Sequence, residues 1–201
     1  MEVSLLSAVK RSNCWVKDDM AYEGERLARF AVAADQGDPA AEDFPSRLPI
    51  PDVSSDMAMA QAAEWIQECS KFHETCVPKP ENGLLPNRLV DVDTVDDLNK
   101  MKLVSSEGQT GEYAALSYCW GQKDQPVMTK NQNFKDFLDE GLPVDGLPQT
   151  IIDAVRVTRR LGIRYLWVDV LCIIQDSRED KDREIGRLQD YFANARWKNG
   201  F

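Results

Sequence analysis

The chain has 201 residues, with 24 Lys+Arg against 34 Asp+Glu and a formal net charge of −10. That length fits one domain plus an extension. With 43% hydrophobic residues there is enough apolar material to bury a core, which excludes global disorder. The acidity belongs to residues 1–112, which hold 11 basic and 21 acidic side chains; residues 113–201 hold 13 of each. Neither half has the basic excess of a nucleic-acid binder or of a protein drawn to anionic membranes. No run of about 18 apolar residues predicts a membrane span. The start, MEVSLLSAVKRSNCW, lacks the basic n-region of a secretory signal. Five irregularly spaced cysteines without an export signal point to reduced thiols in a cytosolic or nuclear setting, and the cytoplasm is the expected location.

Residues 1–55 read as an irregular or weakly helical acidic segment. A weak helical pattern runs over Glu23–Ala34, and Ala33–Ser55, with four prolines, reads as a connector. Residues 56–112 read as a lead-in helix and a β-hairpin. Ser54 or Ser55 can cap a helix over 56–76, in which Ala62, Ile66, Cys69, His73 and Cys76 share one face before Pro78 and Pro80 end it. Arg88–Val92 and Met101–Ser105 are short β-prone runs that suit a hairpin.

From residue 113 the pattern changes. Tyr113–Cys119 is a short apolar strand closed by Gly121, and a short helix is expected near Asn133–Leu138. A helix opens at Pro148-Gln149-Thr150, with Thr150 and Asp153 as a capping box and Ile151, Ile152, Val155 and Leu161 as its stripe. Gly162 stands where a left-handed residue ends it. Tyr165–Ile174 reads as a second buried strand. A last helix over 180–195 is expected, capped by Ser177 with Asp180, with Ile185, Leu188, Tyr191, Phe192 and Ala195 as its apolar stripe. Strand, helix, strand, helix argues for a parallel α/β sheet. No further strand is expected after the last helix, which would leave the sheet incomplete with one edge open.

Ligands of parallel sheets bind outside the carboxyl ends of the strands. That rule makes Ser117, Tyr118, Trp120 and Gly121 after the first strand, and Asp169, Cys172, Gln175 and Asp176 at the second, a candidate ligand-binding rim. Trp120 can stack on a ring, and Asp169 needs a partner such as Arg164 or a helix N-terminus because a buried carboxylate is costly alone. No catalytic residue is assigned: the single histidine, His73, has no triad around it, and no glycine-rich phosphate loop occurs. Cys69, His73 and Cys76 are weak metal candidates. Three donors on one helix fall short of a tetrahedral site, so no metal and no cofactor is expected. The run Arg178–Glu184 alternates in sign and reads as a solvated helix start.

AALSYCWG at 114–121 and LPQTIIDAVRVTRRLGIRYLWVDVLCIIQDSREDKDREIGRLQDYFANA at 147–195 resemble, in order and spacing, the heterokaryon incompatibility (HET) domain of filamentous fungi. GDPAAEDFPSR at 37–47, the run Trp65–Cys76 and LPNRLVDV at 85–92 resemble the lead-in to that domain. The resemblance implies a role in non-self recognition and regulated cell death, with other HET-domain or incompatibility proteins as partners. It also implies a TIR-like (flavodoxin-like) sheet, some relatives of which cleave NAD with a glutamate from a later block. That block is not found here, so residues 113–201 are expected to be the N-terminal part of a truncated HET domain without that activity. The alternatives are a non-catalytic interaction module or decoy, docking through an open sheet edge and the Tyr191/Phe192 face, or an inactive product.

Overall fold

The computed structural model describes residues 14–18, 30–34, 39, 42, 50–73, 84–92, 101–121 and 125–200. The chain divides into two units, Met1–Val53 and Ser54–Phe201. In the first, β1 (Cys14–Asp18) pairs antiparallel with β2 (Phe30–Ala34), with Val16 opposite Val32. The weak helical reading of Glu23–Ala34 is corrected at its end, since Phe30–Ala34 is extended. A helix would satisfy these backbone groups locally, but the five-residue partner strand satisfies them across the ladder instead. Residues 19–29 lie outside the described residues.

The second unit opens with α1 (Asp56–Phe72). Ser55 caps it, its hydroxyl accepting from the Ala58 N–H at 3.2 Å. The helix closes at His73, short of the expected residue 76, and Cys76 lies outside the described residues.

The sheet has five strands: β3 (Arg88–Asp91), β4 (Lys102–Ser105), β5 (Tyr113–Ser117), β6 (Tyr165–Val168) and β7 (Trp197–Gly200), in the order β4-β3-β6-β5-β7. The expected hairpin is present, with Arg88 opposite Ser105 and Asp91 opposite Lys102. Three expectations are corrected. The sheet is mixed, not parallel: β6, β5 and β7 run parallel, and β3 runs antiparallel to both β4 and β6. The hairpin is no separate lead-in, because Val90 pairs with Leu166 inside the same sheet. A strand does follow the last helix, with Ala114 opposite Trp197. The reason is common to all three. A strand buried on both faces still has unpaired N–H and C=O groups along each edge, and those must find a ladder. β3, itself buried throughout, completes one edge of β6, and β7 completes β5.

Helices cover this sheet. Phe137 of α2 (Phe134–Asp139) is buried where that helix meets β4. α3 (Gln149–Arg160) buries Ile151, Ile152, Ala154 and Val155 against β5 and β6. The expected capping box at its start does not form. The helix begins two residues earlier than a Thr150 cap requires, after Pro148, and Asp153 instead accepts from Gln149 Nε2 at 2.7 Å and Arg156 at 3.0 Å. Its end is as expected. Gly162 adopts φ +72°, its N–H donates to the Arg159 carbonyl at 2.9 Å, and the Ile163 N–H donates to Thr158 at 3.1 Å.

The second strand stops at Val168 rather than Ile174, and α4 (Asp169–Cys172) follows as one turn. The expected last helix is two, α5 (Arg178–Ile185) and α6 (Leu188–Asn194), broken at Gly186-Arg187. Ser177 caps α5, accepting from the Asp180 N–H at 3.2 Å. Ile185, expected in the apolar stripe, is 54% exposed. Tyr191 and Phe192 do not form an outer docking face: Tyr191 is buried, and both rings lie 5.6 Å from Trp167.

The inward side of α5 is acidic. Asp180 and Glu184 are buried, which corrects the solvated reading of this run. Arg88 of β3 reaches them, with Nη2 2.5 Å from Asp180 and 3.6 Å from Glu184, while its Nε donates to the Cys172 carbonyl at 2.7 Å. Glu184 also accepts from Asn87 at 2.6 Å and from the Tyr191 hydroxyl at 2.8 Å. The Tyr113 hydroxyl donates to the Tyr191 carbonyl at 2.6 Å. Burial alone raises the Asp180 carboxyl. Hydrogen bonds from Arg88, the Ile174 N–H and Arg183 more than offset that and hold it below its ordinary value.

Arg88→Ala removes the buried cation of this cluster and leaves Asp180 and Glu184 only the half-exposed Arg183, and urea unfolding is expected to show a loss of about 3 kcal/mol. Because the folded state lowers the Asp180 pKa, its stabilisation is present above about pH 4 and is lost as pH falls through the depressed value. A melting-temperature series in acid reads this loss, and Asp180→Asn removes that limb. Gly162→Ala is expected to cost about 1 kcal/mol in the same urea assay, from backbone strain alone, since a Cβ there meets nothing within 4 Å.

Candidate functional site

The carboxyl ends of β5 and β6 lie side by side, with Leu116 opposite Val168. The chain leaves β5 through Tyr118, Cys119 and Trp120 and leaves β6 through Asp169. Trp120 Nε1 donates to both Asp169 oxygens, at 3.0 and 3.2 Å, and the Val170 N–H donates to Oδ1 at 2.7 Å. Asp169 is thus tied to an indole and a backbone amide rather than to Arg164, which pairs with Asp91 at 2.7 Å. Burial raises the Asp169 carboxyl above its ordinary value, and the Trp120 and Val170 hydrogen bonds oppose that only in part.

Tyr118 stands beside this pair. Its hydroxyl is buried and has no hydrogen-bond partner, and burial together with the Asp169 charge pushes its pKa upward. Gln125 donates through Nε2 to the Trp120 carbonyl at 2.7 Å, leaving its buried Oε1 without a partner. Among the described residues, four buried side-chain polar atoms lack partners, and two of them are therefore at this rim. Each such orphan costs about 1–3 kcal/mol, so the rim stores unsatisfied polar capacity that a ligand or water can use.

The other expected rim residues have different fates. Ser117 is exposed at the end of β5, and Gly121 is exposed with φ +77° and open space beyond it. Gln175 and Asp176 fasten a loop. Gln175 donates through Nε2 to the Asp169 and Ile173 carbonyls, and Asp176 accepts from the Asn131 backbone and side chain at 2.8 and 3.0 Å. Cys172 lies in the core. Its sulfur accepts from the Val168 N–H at 3.5 Å, and burial pushes the thiol up to about 12, so it is no nucleophile at neutral pH.

Sequence reasoning missed the strap that holds the rim. Thr129 is fully buried. Its N–H donates to Val170 at 3.1 Å, its hydroxyl to Leu171 at 2.5 Å, and its carbonyl accepts from the Gln175 N–H at 2.7 Å. Nothing in its local sequence marks it, because its partners lie more than 40 residues away.

Residues 113–198 match the family described as Heterokaryon incompatibility protein (HET). These residues form a HET domain. The match begins with β5 and takes in α2 to α6 and the first half of β7, so the whole Tyr118–Trp120–Asp169 rim is inside it. The strands β3 and β4 that complete the sheet of the HET domain lie upstream of the match. No curated protein and no solved structure matches the chain. Among the described residues no cluster of three or more His, Cys, Asp or Glu could hold a metal, and no helix is long and apolar enough to cross a membrane. Cys69 is half-buried and His73 is exposed at the end of α1.

A raised Asp169 pKa means that its contribution to stability is present below about pH 4 and is lost as pH rises through the folded value. Asp169→Asn is therefore expected to gain melting temperature relative to the parent as pH rises from about 4 to 7. Parallel melting curves across that range would mean that the carboxyl is not perturbed.

Proposed function

We propose that this HET domain is an effector of fungal non-self recognition that triggers regulated cell death, and that the Tyr118–Trp120–Asp169 rim is its ligand-binding part. The observation that carries the reading is the family match over residues 113–198, which encloses that rim. Two buried polar atoms without partners beside a half-buried carboxylate are the pattern of a site awaiting a ligand. The parallel run β6-β5-β7 supports a TIR-like centre for the domain, to which the antiparallel hairpin is an addition. The partners in this reading are other HET-domain or incompatibility proteins, and the place of action is the cytoplasm. The residues assigned here bind rather than catalyse.

Induced expression of the chain in a filamentous fungus tests this. The parent chain is expected to reduce viability, and Asp169→Ala and Trp120→Phe to restore it at equal protein level and with the parent's circular dichroism spectrum. Undiminished death with both variants removes the rim from the reading. Full viability with the parent chain overturns the effector role itself.

A further inference from the structure

Among the described residues three carboxylates are buried outright, and each faces an arginine. Asp91 has Arg164 at 2.7 Å, Asp180 has Arg88 at 2.5 Å, and Glu184 has Arg88 at 3.6 Å. Asp169 breaks this pattern. It is half-buried, and its partners are the Trp120 indole and the Val170 amide, both neutral. Among the described residues no lysine or arginine pairs with it. The titratable groups that feel its charge, Tyr118 and Cys172, are kept neutral at pH 7 because burial pushes both upward. A carboxylate withdrawn from water without a cation carries a desolvation cost that neutral hydrogen bonds offset only in part, as its raised pKa reflects.

The unsatisfied atoms around it can accept hydrogen bonds. Gln125 spends its Nε2 on the Trp120 carbonyl, so its buried Oε1 lies beside the Trp120 backbone with nothing to accept from. Turning that amide over would set two oxygens face to face, which fixes the open atom as the acceptor. The buried Tyr118 hydroxyl, also without a partner, can accept as well. Trp120 and Tyr118 add two partly buried aromatic rings. An anion would meet a like charge here. A planar cation with several N–H groups meets an unpaired carboxylate, two open acceptors and ring faces. A guanidinium has that form: it carries five donors, holds its water weakly and stacks on rings, whereas an ammonium is a strongly hydrated point charge with three.

We infer that the rim binds a guanidinium group, which pairs its charge with Asp169 and offers its other N–H groups to Gln125 Oε1 and the Tyr118 hydroxyl. The inference rests on the reading of the rim as a ligand site and gives that ligand its chemistry. The group can be carried by a small guanidine or by an arginine of a protein partner.

The Trp120 indole N–H donates to Asp169 and so reports on the site. In the nitrogen-15 spectrum of the full chain its resonance is the one lost in Trp120→Phe. N-acetyl-arginine amide is expected to shift it saturably. Its neutral isostere, N-acetyl-citrulline amide, is expected to bind at least about tenfold more weakly, and inorganic phosphate to leave the resonance unmoved. Asp169→Asn is expected to weaken binding of the arginine amide by at least about tenfold with circular dichroism unchanged. Methylguanidine separates the two carriers: binding as tight as that of the arginine amide assigns the site to a small guanidine, and weaker binding assigns it to an arginine within a chain. Equal binding of the arginine and citrulline amides, a response to phosphate in their place, or no saturable shift with either guanidine overturns the proposal. So does undiminished binding in Asp169→Asn. Cell death that needs Asp169 in a chain that takes no guanidine removes this inference alone, whereas guanidine binding with death indifferent to Asp169 removes the rim from the death reading and leaves the inference standing.

Discussion

Arg88 is the residue on which the arrangement of the second unit turns. It sits at the start of β3, far in sequence from the helix it serves, and brings a cation to two carboxylates that α5 turns inward. Neither side is tolerable alone. A guanidinium buried in the sheet and two buried acids each carry a desolvation cost of several kcal/mol, which their ion pair offsets together with the hydrogen bonds from Arg183, Ile174, Asn87 and Tyr191. The consequence is architectural. The hairpin β3-β4 is locked to α5, Glu184 to Asn87 and Tyr191, and Tyr191 through its carbonyl to Tyr113 of β5. One polar chain therefore runs from the antiparallel edge of the sheet to its parallel centre.

The rim takes its shape from this frame. Arg88 Nε holds the Cys172 carbonyl, which fixes the end of the single turn that begins with Asp169. The Thr129 strap holds the other side of that turn through Val170 and Leu171. Asp169 is left facing Trp120, with a carboxyl raised by burial and a tyrosine hydroxyl beside it unsatisfied. The side chains of the buried cluster have their hydrogen-bond partners, whereas the rim is incompletely bonded. Satisfied and unsatisfied polar groups thus lie in neighbouring but separate sets of residues.

Much of the fold was legible in the sequence because it depends on local chemistry. The hairpin pairs as its β-prone runs indicate, the Ser55 and Ser177 caps bond as their positions require, and Gly162 takes the left-handed turn that ends α3. The rim was half legible. Trp120, Tyr118 and Asp169 come together because the ends of adjacent parallel strands must, whereas Gln175 and Asp176 turn out to fasten a loop that no local pattern announces. The strand predicted over Tyr165–Ile174 stops early for a related reason. A largely apolar run looks the same as strand or as buried helical turn, and here Asp169 starts a turn, its carbonyl accepting from the Ile173 N–H.

By itself, then, the sequence determined the α/β class, the elements with clear caps and turns, the HET resemblance over two long blocks and the general place of the rim. Only the tertiary structure decided that the sheet is mixed, that the hairpin belongs to it, and that Asp180 and Glu184 face inward. The physical reason is that these strand and ion pairings join residues far apart in sequence, from Tyr113 with Tyr165 to Arg88 with Glu184. An alternating charged run carries no local mark of which of its members an arginine on a distant strand will bury.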